Sequence, residues 1–194
     1  MAPGFEVVAL AASAGGLNAL THVLAGLPAG FPAALVVVQH LDPRHRSLMA
    51  EILSKHTAIS VSQAREAERL RPGHAYVAPP NHHLLVNAGG VLTLTQTELV
   101  HFVRPSADLL FESTAASYRE RAIAVVLSGS GHDGAMGVKA IKKMGGTVIV
   151  QEAKSSEFGG MPRAAYDTGA ADFVLPLDEI APALQTLCAA TELR

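Results

Sequence analysis

The chain has 194 residues, of which 49% are hydrophobic and 16% charged, and its formal net charge is -2. This balance is typical of a soluble globular protein, so we expect residues 1–194 to form a single domain rather than a disordered chain. The charges form no basic stripe, which argues against a nucleic-acid partner. The sequence has no apolar run long enough to span a bilayer and no signal peptide, so it predicts a cytoplasmic protein without membrane insertion.

Short apolar runs alternate along the chain with segments whose apolar residues recur at helical spacing. The predicted strands are residues 7–11, 35–38, 75–77, 123–127, 147–150 and 173–175. The predicted helices are residues 17–24, 47–56, 107–119, 135–144 and 178–190. This alternation predicts an α/β fold with a doubly wound, mainly parallel sheet and helices on both faces. Two alternating runs around Gly89 and Gly90 add an antiparallel hairpin at one side.

The first predicted strand runs into the sequence ASAGG, in which Ser13 precedes Gly15 and Gly16. Ligands of open parallel sheets bind outside the carboxyl ends of the strands. The glycines permit a tight turn into a helix, which would place the Ser13 hydroxyl beside free backbone N–H groups that favour a developing oxyanion. The alternative is that Ser13 only caps the helix.

Two further strand ends carry chemically useful side chains. His40 follows the second predicted strand, although a single histidine there is also compatible with a polar surface or a satisfied core group. Asp133 lies in the Gly-rich turn after the fourth predicted strand, where a carboxylate is able to orient an imidazole or to cap the helix that begins near Ala135. A hydroxyl, a base and an orienting carboxylate at one edge of a sheet predict a serine hydrolase. The order along the chain is not that of the α/β-hydrolases, and SAGG is not their nucleophile motif.

The same Gly-rich turn supports a competing hypothesis. From Gly129 to Gly134 the sequence GSGHDG fits G-x-G-x-x-G after a strand and before a helix, and Glu152 ends the next strand, so a dinucleotide-binding domain is an alternative. Against it, Asp133 would bring a carboxylate close to a pyrophosphate. The nine histidines form no metal-binding motif, and the adjacent His82 and His83 would face opposite sides of a strand, so we expect no metal site.

In this order, the three loops resemble the catalytic domain of the CheB-type chemotaxis methylesterases. The sequences that carry the resemblance are ASAGG, VVVQH and LSGSGHDGAMG, with further similar stretches LRPGHAYVAPPNHHL, RPSADLLFES, QEAKSSEFGGMPRAA and GAADFVLPL. They span nearly the whole chain. By this resemblance, Ser13 is the nucleophile, His40 the general base and acid, and Asp133 the residue that orients His40.

The resemblance further implies hydrolysis of glutamyl methyl esters on the cytoplasmic helices of a chemoreceptor, with release of methanol and without a cofactor. It also implies deamidation of receptor glutamines in some members. Oxyanion and substrate contacts are expected at the Ser13 turn, through Ala14 and Gly15, and at Ser130, where the family usually has methionine. Arg104 and Ser106 match a family stretch near the active-site cleft, which implies a substrate-side role; the alternative is a helix-start motif around Pro105.

Relatives usually carry an N-terminal receiver domain, whereas few residues precede the first strand here. If the sequence is the natural chain, we expect no control by phosphorylation within it, and a separate receiver or methyltransferase protein is a candidate partner. VVVQHLDPRHRSL and LSGSGHDG also look like versions found where the methylesterase is fused to a methyltransferase. A binding or scaffold module that has kept the fold but lost turnover remains an alternative to the enzyme.

Overall fold

The computed structural model describes residues 5–40 and 47–189, which fold into a seven-stranded sheet, a two-stranded sheet and six α-helices. The strands are β1 (Val7–Ala12), β2 (Ala34–Gln39), β3 (Ser60–Gln63), β4 (His74–Val77), β5 (His83–Asn87), β6 (Val91–Thr95), β7 (Ala122–Val126), β8 (Thr147–Gln151) and β9 (Phe173–Leu175). The helices are α1 (Gly16–Ala25), α2 (Met49–Ser54), α3 (Ala107–Tyr118), α4 (Ala135–Lys143), α5 (Gly160–Asp167) and α6 (Leu177–Cys188).

The large sheet has the strand order β3-β4-β2-β1-β7-β8-β9, and all of its pairings are parallel. The chain moves outward from β1 in one direction through β2 and in the other through β7. The strand order therefore reverses between β1 and β7, and in such sheets the crevice at this point is the preferred ligand site. The predicted doubly wound α/β fold is confirmed.

Both faces of the large sheet are covered because its central strands β1 and β2 are apolar at every position except Gln39, which ends β2. All six residues of β1 and all six of β2 are buried. Alternate residues point to opposite faces, so Val8 and Leu10 pack with buried residues of α1, α2 and α6, whereas Ala9 and Ala11 pack with those of α3, α4 and α5. The helices thus form the two outer layers that continuous apolar strands require.

The predicted hairpin is present as the antiparallel pair β5–β6. It forms its own two-stranded sheet instead of extending the large one. Its buried residues Leu84, Val86 and Leu92 belong to the same apolar cluster as Leu110 and Phe111 of α3. The hairpin therefore flanks the large sheet and packs against α3.

The strand β3 and the helix α5 were not predicted from the sequence, because their residues lack the apolar patterns of a buried strand and of a helix. The edge strand β3 has no fully buried residue, and α5 carries a glycine and a proline in its first turn, which are poor helix formers. The second predicted helix is shorter in the structure, and Ala190, the predicted end of the last helix, lies outside the described residues. Within residues 5–40 and 47–189, no helix combines the length and apolar character needed to cross a membrane.

Candidate active site

Three loops with polar side chains meet at the carboxyl edge of the large sheet. Ser13 follows β1, His40 follows β2 and Asp133 lies in the loop after β7; these strands are neighbours. Ala12 pairs in register with Gln39, so the next residues, Ser13 and His40, emerge side by side at strand ends about 4.8 Å apart. The fold thus brings the three predicted residues to one place.

His40 and Asp133 are joined by a hydrogen bond of 2.8 Å between Nε2 of the ring and Oδ2 of the carboxylate. An ionised carboxylate only accepts hydrogen bonds, so Nε2 carries the ring proton and Nδ1 keeps its lone pair. Nδ1 is therefore the nitrogen that is left to accept a proton from a serine hydroxyl. In the serine-protease triad, the two ring nitrogens have the opposite roles.

Asp133 is only 4% exposed, and both oxygens of its buried carboxylate accept hydrogen bonds from protein groups. Besides His40, it accepts hydrogen bonds from the hydroxyl of Ser106 (2.9 Å) and from the backbone N–H groups of Ala107 (2.6 Å) and Asp108 (3.1 Å). Burial alone would raise the pKa of Asp133, but the hydrogen bonds from His40, Ala107 and Asp108 outweigh it and hold the pKa below its usual value. Asp133 thus remains ionised beside the histidine.

These donors place Asp133 at the N-terminus of α3, where free N–H groups and the helix dipole stabilise an anion. The alternative that Asp133 caps the helix following it is wrong. The N-cap of α4 is Gly134, and the structure gives α4 no side-chain cap. Asp133 instead stabilises a helix that starts 26 positions earlier in the sequence.

His83 holds the start of α3, to which Asp133 is bonded, and the sequence analysis did not identify this role. Its ring is fully buried; Nδ1 accepts a hydrogen bond of 3.1 Å from the backbone N–H of Ser106, and Nε2 donates to the carbonyl of Glu98 at 2.9 Å. Burial lowers the pKa of His83 and favours the neutral ring that this pattern requires. The signal in the sequence was a histidine next to the predicted hairpin.

The turn that holds Ser13 depends on its close contact with the loop after β7 and on glycine residues. The N–H of Ser13 donates to the carbonyl of Ser128 at 2.9 Å, which links the loops after β1 and β7. A Cβ atom on Gly129 would lie 2.9 Å from Cβ of Ser13, so only glycine fits there, and Gly15 has a φ of 70°. Gly15 is also the N-cap of α1, which has no side-chain cap. The alternative that Ser13 caps this helix is therefore wrong.

The hydroxyl of Ser13 makes no hydrogen bond to His40 within the described residues. Such contacts are often long before a substrate is bound. Ala14, Gly15 and Ser130, the expected oxyanion residues, lie in the two loops that flank Ser13. Across residues 5–40 and 47–189, no acceptor is found for the backbone N–H groups of Ala14 and Ser130, so both are available to a developing negative charge.

Ser128 is a second buried residue that sequence reasoning missed. Its hydroxyl donates to the carbonyl of Ala14 at 2.8 Å and accepts from the N–H of Phe158 at 3.0 Å. Its own N–H donates to Oε1 of Gln151 at 2.8 Å. Ser128 therefore fixes the spacing between the loops after β1 and β7.

Arg104 and Ser106 lie in different surroundings. The Arg104 guanidinium donates to Oδ1 of Asn81 and to the carbonyls of Gln96 and Thr97, so it braces the loop before α3. Ser106 is fully buried against Asp133. A substrate-side role for these two residues stays a prediction, and the contacts found here are within the protein.

The Gly-rich turn from Gly129 to Gly134 does lie between a strand and a helix, as the dinucleotide alternative requires. However, the carboxylate of Asp133 in this turn is buried against His40 and α3. The carbonyl of Gly129, at the start of the turn, accepts a hydrogen bond of 2.8 Å from the N–H of Met161 in α5. The turn is thus packed against α5. In the part of the chain that the structure describes, no three His, Cys, Asp or Glu side chains are grouped as a metal site.

Comparison with known proteins gives consistent results. The sequence profile of a family described as CheB methylesterase matches residues 8–184. The crystal structure of the Thermotoga maritima CheB methylesterase catalytic domain superimposes with a TM-score of 0.91 and 34% identity, covering 95% of this chain and 100% of that one.

Two curated relatives differ in how much of their length is matched. A protein-glutamate methylesterase/protein-glutamine glutaminase of Moorella thermoacetica is 42% identical over 189 residues, which is 95% of this chain but 45% of the relative. A putative protein of the same description from Leptospira interrogans is 40% identical over 177 residues, covering 91% of this chain and 92% of the relative. The chain therefore spans about half of the first relative and nearly all of the second.

Proposed function

The chain belongs to the CheB methylesterase family, and from this premise we propose that it hydrolyses methyl esters of glutamyl side chains on chemoreceptors and releases methanol. The observation that carries the proposal is the 2.8 Å hydrogen bond between His40 and the buried carboxylate of Asp133, beside the turn that presents Ser13. The named relatives are methylesterases and glutaminases, so deamidation of receptor glutamines at the same site is part of the proposal.

In the first half-reaction, Oγ of Ser13 attacks the ester carbonyl carbon while Nδ1 of His40 takes the hydroxyl proton. The tetrahedral intermediate places its negative oxygen between the N–H groups of Ala14 and Ser130. Its collapse breaks the bond to the methoxy oxygen, which receives the proton from His40 and leaves as methanol. The glutamyl group remains as an ester on Ser13.

In the second half-reaction, His40 removes a proton from water, and the resulting hydroxide attacks the acyl-enzyme. Collapse returns the proton to Oγ of Ser13 and frees the glutamate carboxylate. For a glutamine substrate, the leaving group of the first step is ammonia. Asp133 stabilises the imidazolium in both steps, and its lowered pKa keeps it ionised throughout.

The family acts in chemotaxis, and the partners proposed for this chain follow from that role. We propose methylated helices from the cytoplasmic part of a chemoreceptor as substrate. A separate receiver or methyltransferase protein is the proposed regulatory partner. These proposals imply that the protein works in the cytoplasm.

Methanol release from a methylated receptor tests the assignment of Ser13. We expect Ser13→Ala to lower the rate by orders of magnitude, because removing one triad member abolishes the covalent route. Ser54→Ala is the matched control, since Ser54 lies on an exposed face of α2 and its hydroxyl donates to the carbonyl of Glu51 in the same helix. Undiminished release by Ser13→Ala would refute the assignment.

Covalent labelling separates the enzyme from the binding-module alternative. A fluorophosphonate probe is expected to label the wild type stoichiometrically and to label His40→Ala slowly, because His40 activates the hydroxyl. An unlabelled wild type would favour the binding module. Calorimetric titration with NAD or FAD tests the dinucleotide alternative, for which we expect no heat of binding.

A further inference from the structure

Gln39, the residue before the proposed base, bonds to the main chain of both reacting residues. It ends β2 and is 6% exposed. Its Nε2 donates one hydrogen bond to the carbonyl of Ser13 at 2.8 Å and another to the carbonyl of His40 at 3.0 Å. A single amide group therefore joins the nucleophile turn to the loop that carries the base.

The two carbonyl acceptors determine which way the amide faces. A rotated amide would place its oxygen against both carbonyls, which have no proton to donate. In the observed orientation, Oε1 is the one buried side-chain polar atom of the described residues without a hydrogen-bond partner. It lies against Gly16, where a Cβ atom would come within 2.0 Å of it.

A buried acceptor without a partner costs stability. A methionine would fill nearly the same volume and remove that cost, but it would also take a donor from the carbonyls of Ser13 and His40, of which that of Ser13 still accepts from the N–H of Gly16. The two effects on stability oppose each other, so stability alone does not account for the amide. What the amide adds is the fixed spacing between the carbonyls of Ser13 and His40. A misplacement of about 1 Å between reacting groups is enough to cost about 100-fold in rate.

We propose that Gln39 is a positioning residue that holds Ser13 and His40 at the separation needed for proton transfer. The proposal rests on the esterase function proposed above. Because Gln39 acts through the backbone of the two residues, its loss affects the rate of acylation and leaves the affinity for substrate unchanged.

The main test is Gln39→Met, with steady-state kinetics, fluorophosphonate labelling and thermal unfolding measured on the full chain. We expect kcat and the labelling rate to fall about 10- to 100-fold in parallel, KM to stay within about twofold, and the Tm to change little, because the lost hydrogen bonds and the removed orphan oxygen offset each other. Thr114→Val is the control, because Thr114 also makes a buried bond to a carbonyl, that of Leu110, and contacts neither Ser13 nor His40.

Gln39→Glu adds a readout that a purely structural role would not produce. An ionised carboxylate donates to neither carbonyl, whereas a protonated one donates to one of them. We therefore expect the ratio of mutant to wild-type kcat/KM to rise as the pH falls. This ratio also decides the matter if Gln39→Met does not fold.

A wild-type kcat in Gln39→Met together with a lower Tm would overturn the proposal, as would a ratio for Gln39→Glu that does not change with pH. Failure of the proposed function is recognised separately. In that case the wild type releases no methanol, whereas the effect of Gln39 on Ser13 reactivity is measured by labelling without any ester substrate.

Discussion

Asp133 accepts hydrogen bonds from His40, Ser106, Ala107 and Asp108, and this set of donors distinguishes it from an ordinary surface aspartate. Each of these groups donates a hydrogen bond to a carboxylate oxygen, which favours the ionised form of Asp133. The carboxylate is therefore held in one orientation, and it presents Oδ2 to the ring of His40. Its role in the proposed chemistry is to select the tautomer in which Nδ1 is basic.

Asp133→Asn tests that role. The amide of asparagine is able to donate to Nε2 of His40, which would favour the tautomer with a protonated Nδ1 that cannot accept the Ser13 proton. We expect kcat for methanol release to fall about 10³- to 10⁴-fold, the range seen for other triads. A fall of less than about tenfold would show that the tautomer of His40 does not limit the reaction.

Sequence reasoning identified Ser13, His40 and Asp133 because each follows a predicted strand and the ordered loops resemble one family. It did not find Gln39 or His83. Gln39 looks like the polar end of an apolar strand, and His83 like one of two adjacent histidines. Their contacts depend on backbone groups 26 and 23 residues away, and no local pattern records these.

The first turn of α3 is the element that carries the carboxylate side of the site. Ser106 is its N-cap, and its hydroxyl accepts from Leu109 while donating to Asp133. His83 of β5 holds the N–H of Ser106, and β5 itself packs on α3. The hairpin is thus linked to Asp133 through the hydrogen bond between His83 and Ser106 at the start of α3.

Two substitutions of His83 separate its two hydrogen bonds. Asparagine places an oxygen near the position of Nδ1 and still accepts from Ser106, whereas glutamine places an NH₂ near Nε2 and still donates to the carbonyl of Glu98. We expect His83→Asn to keep kcat within about tenfold of the wild type and His83→Gln to lose a further factor of about five, because losing one net hydrogen bond is worth about 1 kcal/mol.

The measurements are kcat, KM and the Tm of both variants. Equal kcat values with different Tm values would contradict a role for His83 in placing Asp133, and would assign it to stability alone. Wild-type kcat in His83→Gln would have the same meaning.

Folding buries the carboxylates of Asp108 and Asp133 close together, and their contributions to stability respond to pH in opposite ways. Burial is the main cause that raises the pKa of Asp108; the charge of Asp133 adds to it, while the N–H of Gly137 and the nearby His101 oppose it. The pKa of Asp133 is lowered. Stability from Asp133 is therefore present above the unfolded pKa of about 3.9 and is lost as the pH falls through its folded pKa.

Asp108 has the opposite sign. Because its folded pKa is raised, the stability linked to its protonation is present below about pH 3.9 and is lost as the pH rises through the folded pKa. The substitution Asp108→Asn removes this pH-dependent loss of stability, because asparagine does not ionise. The side-chain oxygen of the asparagine is still able to accept the hydrogen bond from the N–H of Gly137. We expect the unfolding free energy of Asp108→Asn, relative to the wild type, to increase as the pH is raised from about 3.5 towards 7.

Urea unfolding at several pH values measures this difference. Asp167→Asn is the matched control, since Asp167 pairs with Arg163 on the exposed surface of α5. Its difference from the wild type is expected to stay within about 0.5 kcal/mol at all pH values, as for most surface ion pairs. A difference for Asp108→Asn that is equally flat would contradict the raised pKa.

The fold class follows from the sequence alone, because buried parallel strands are largely apolar and the helices between them have one apolar face. The sequence also determined which loops carry a hydroxyl, an imidazole and a carboxylate. The tertiary structure alone decided that Asp133 binds α3 instead of capping α4, that Nε2 of His40 faces it, and that Gln39 ties Ser13 to His40. These features depend on which backbone groups meet when strands distant in sequence become neighbours.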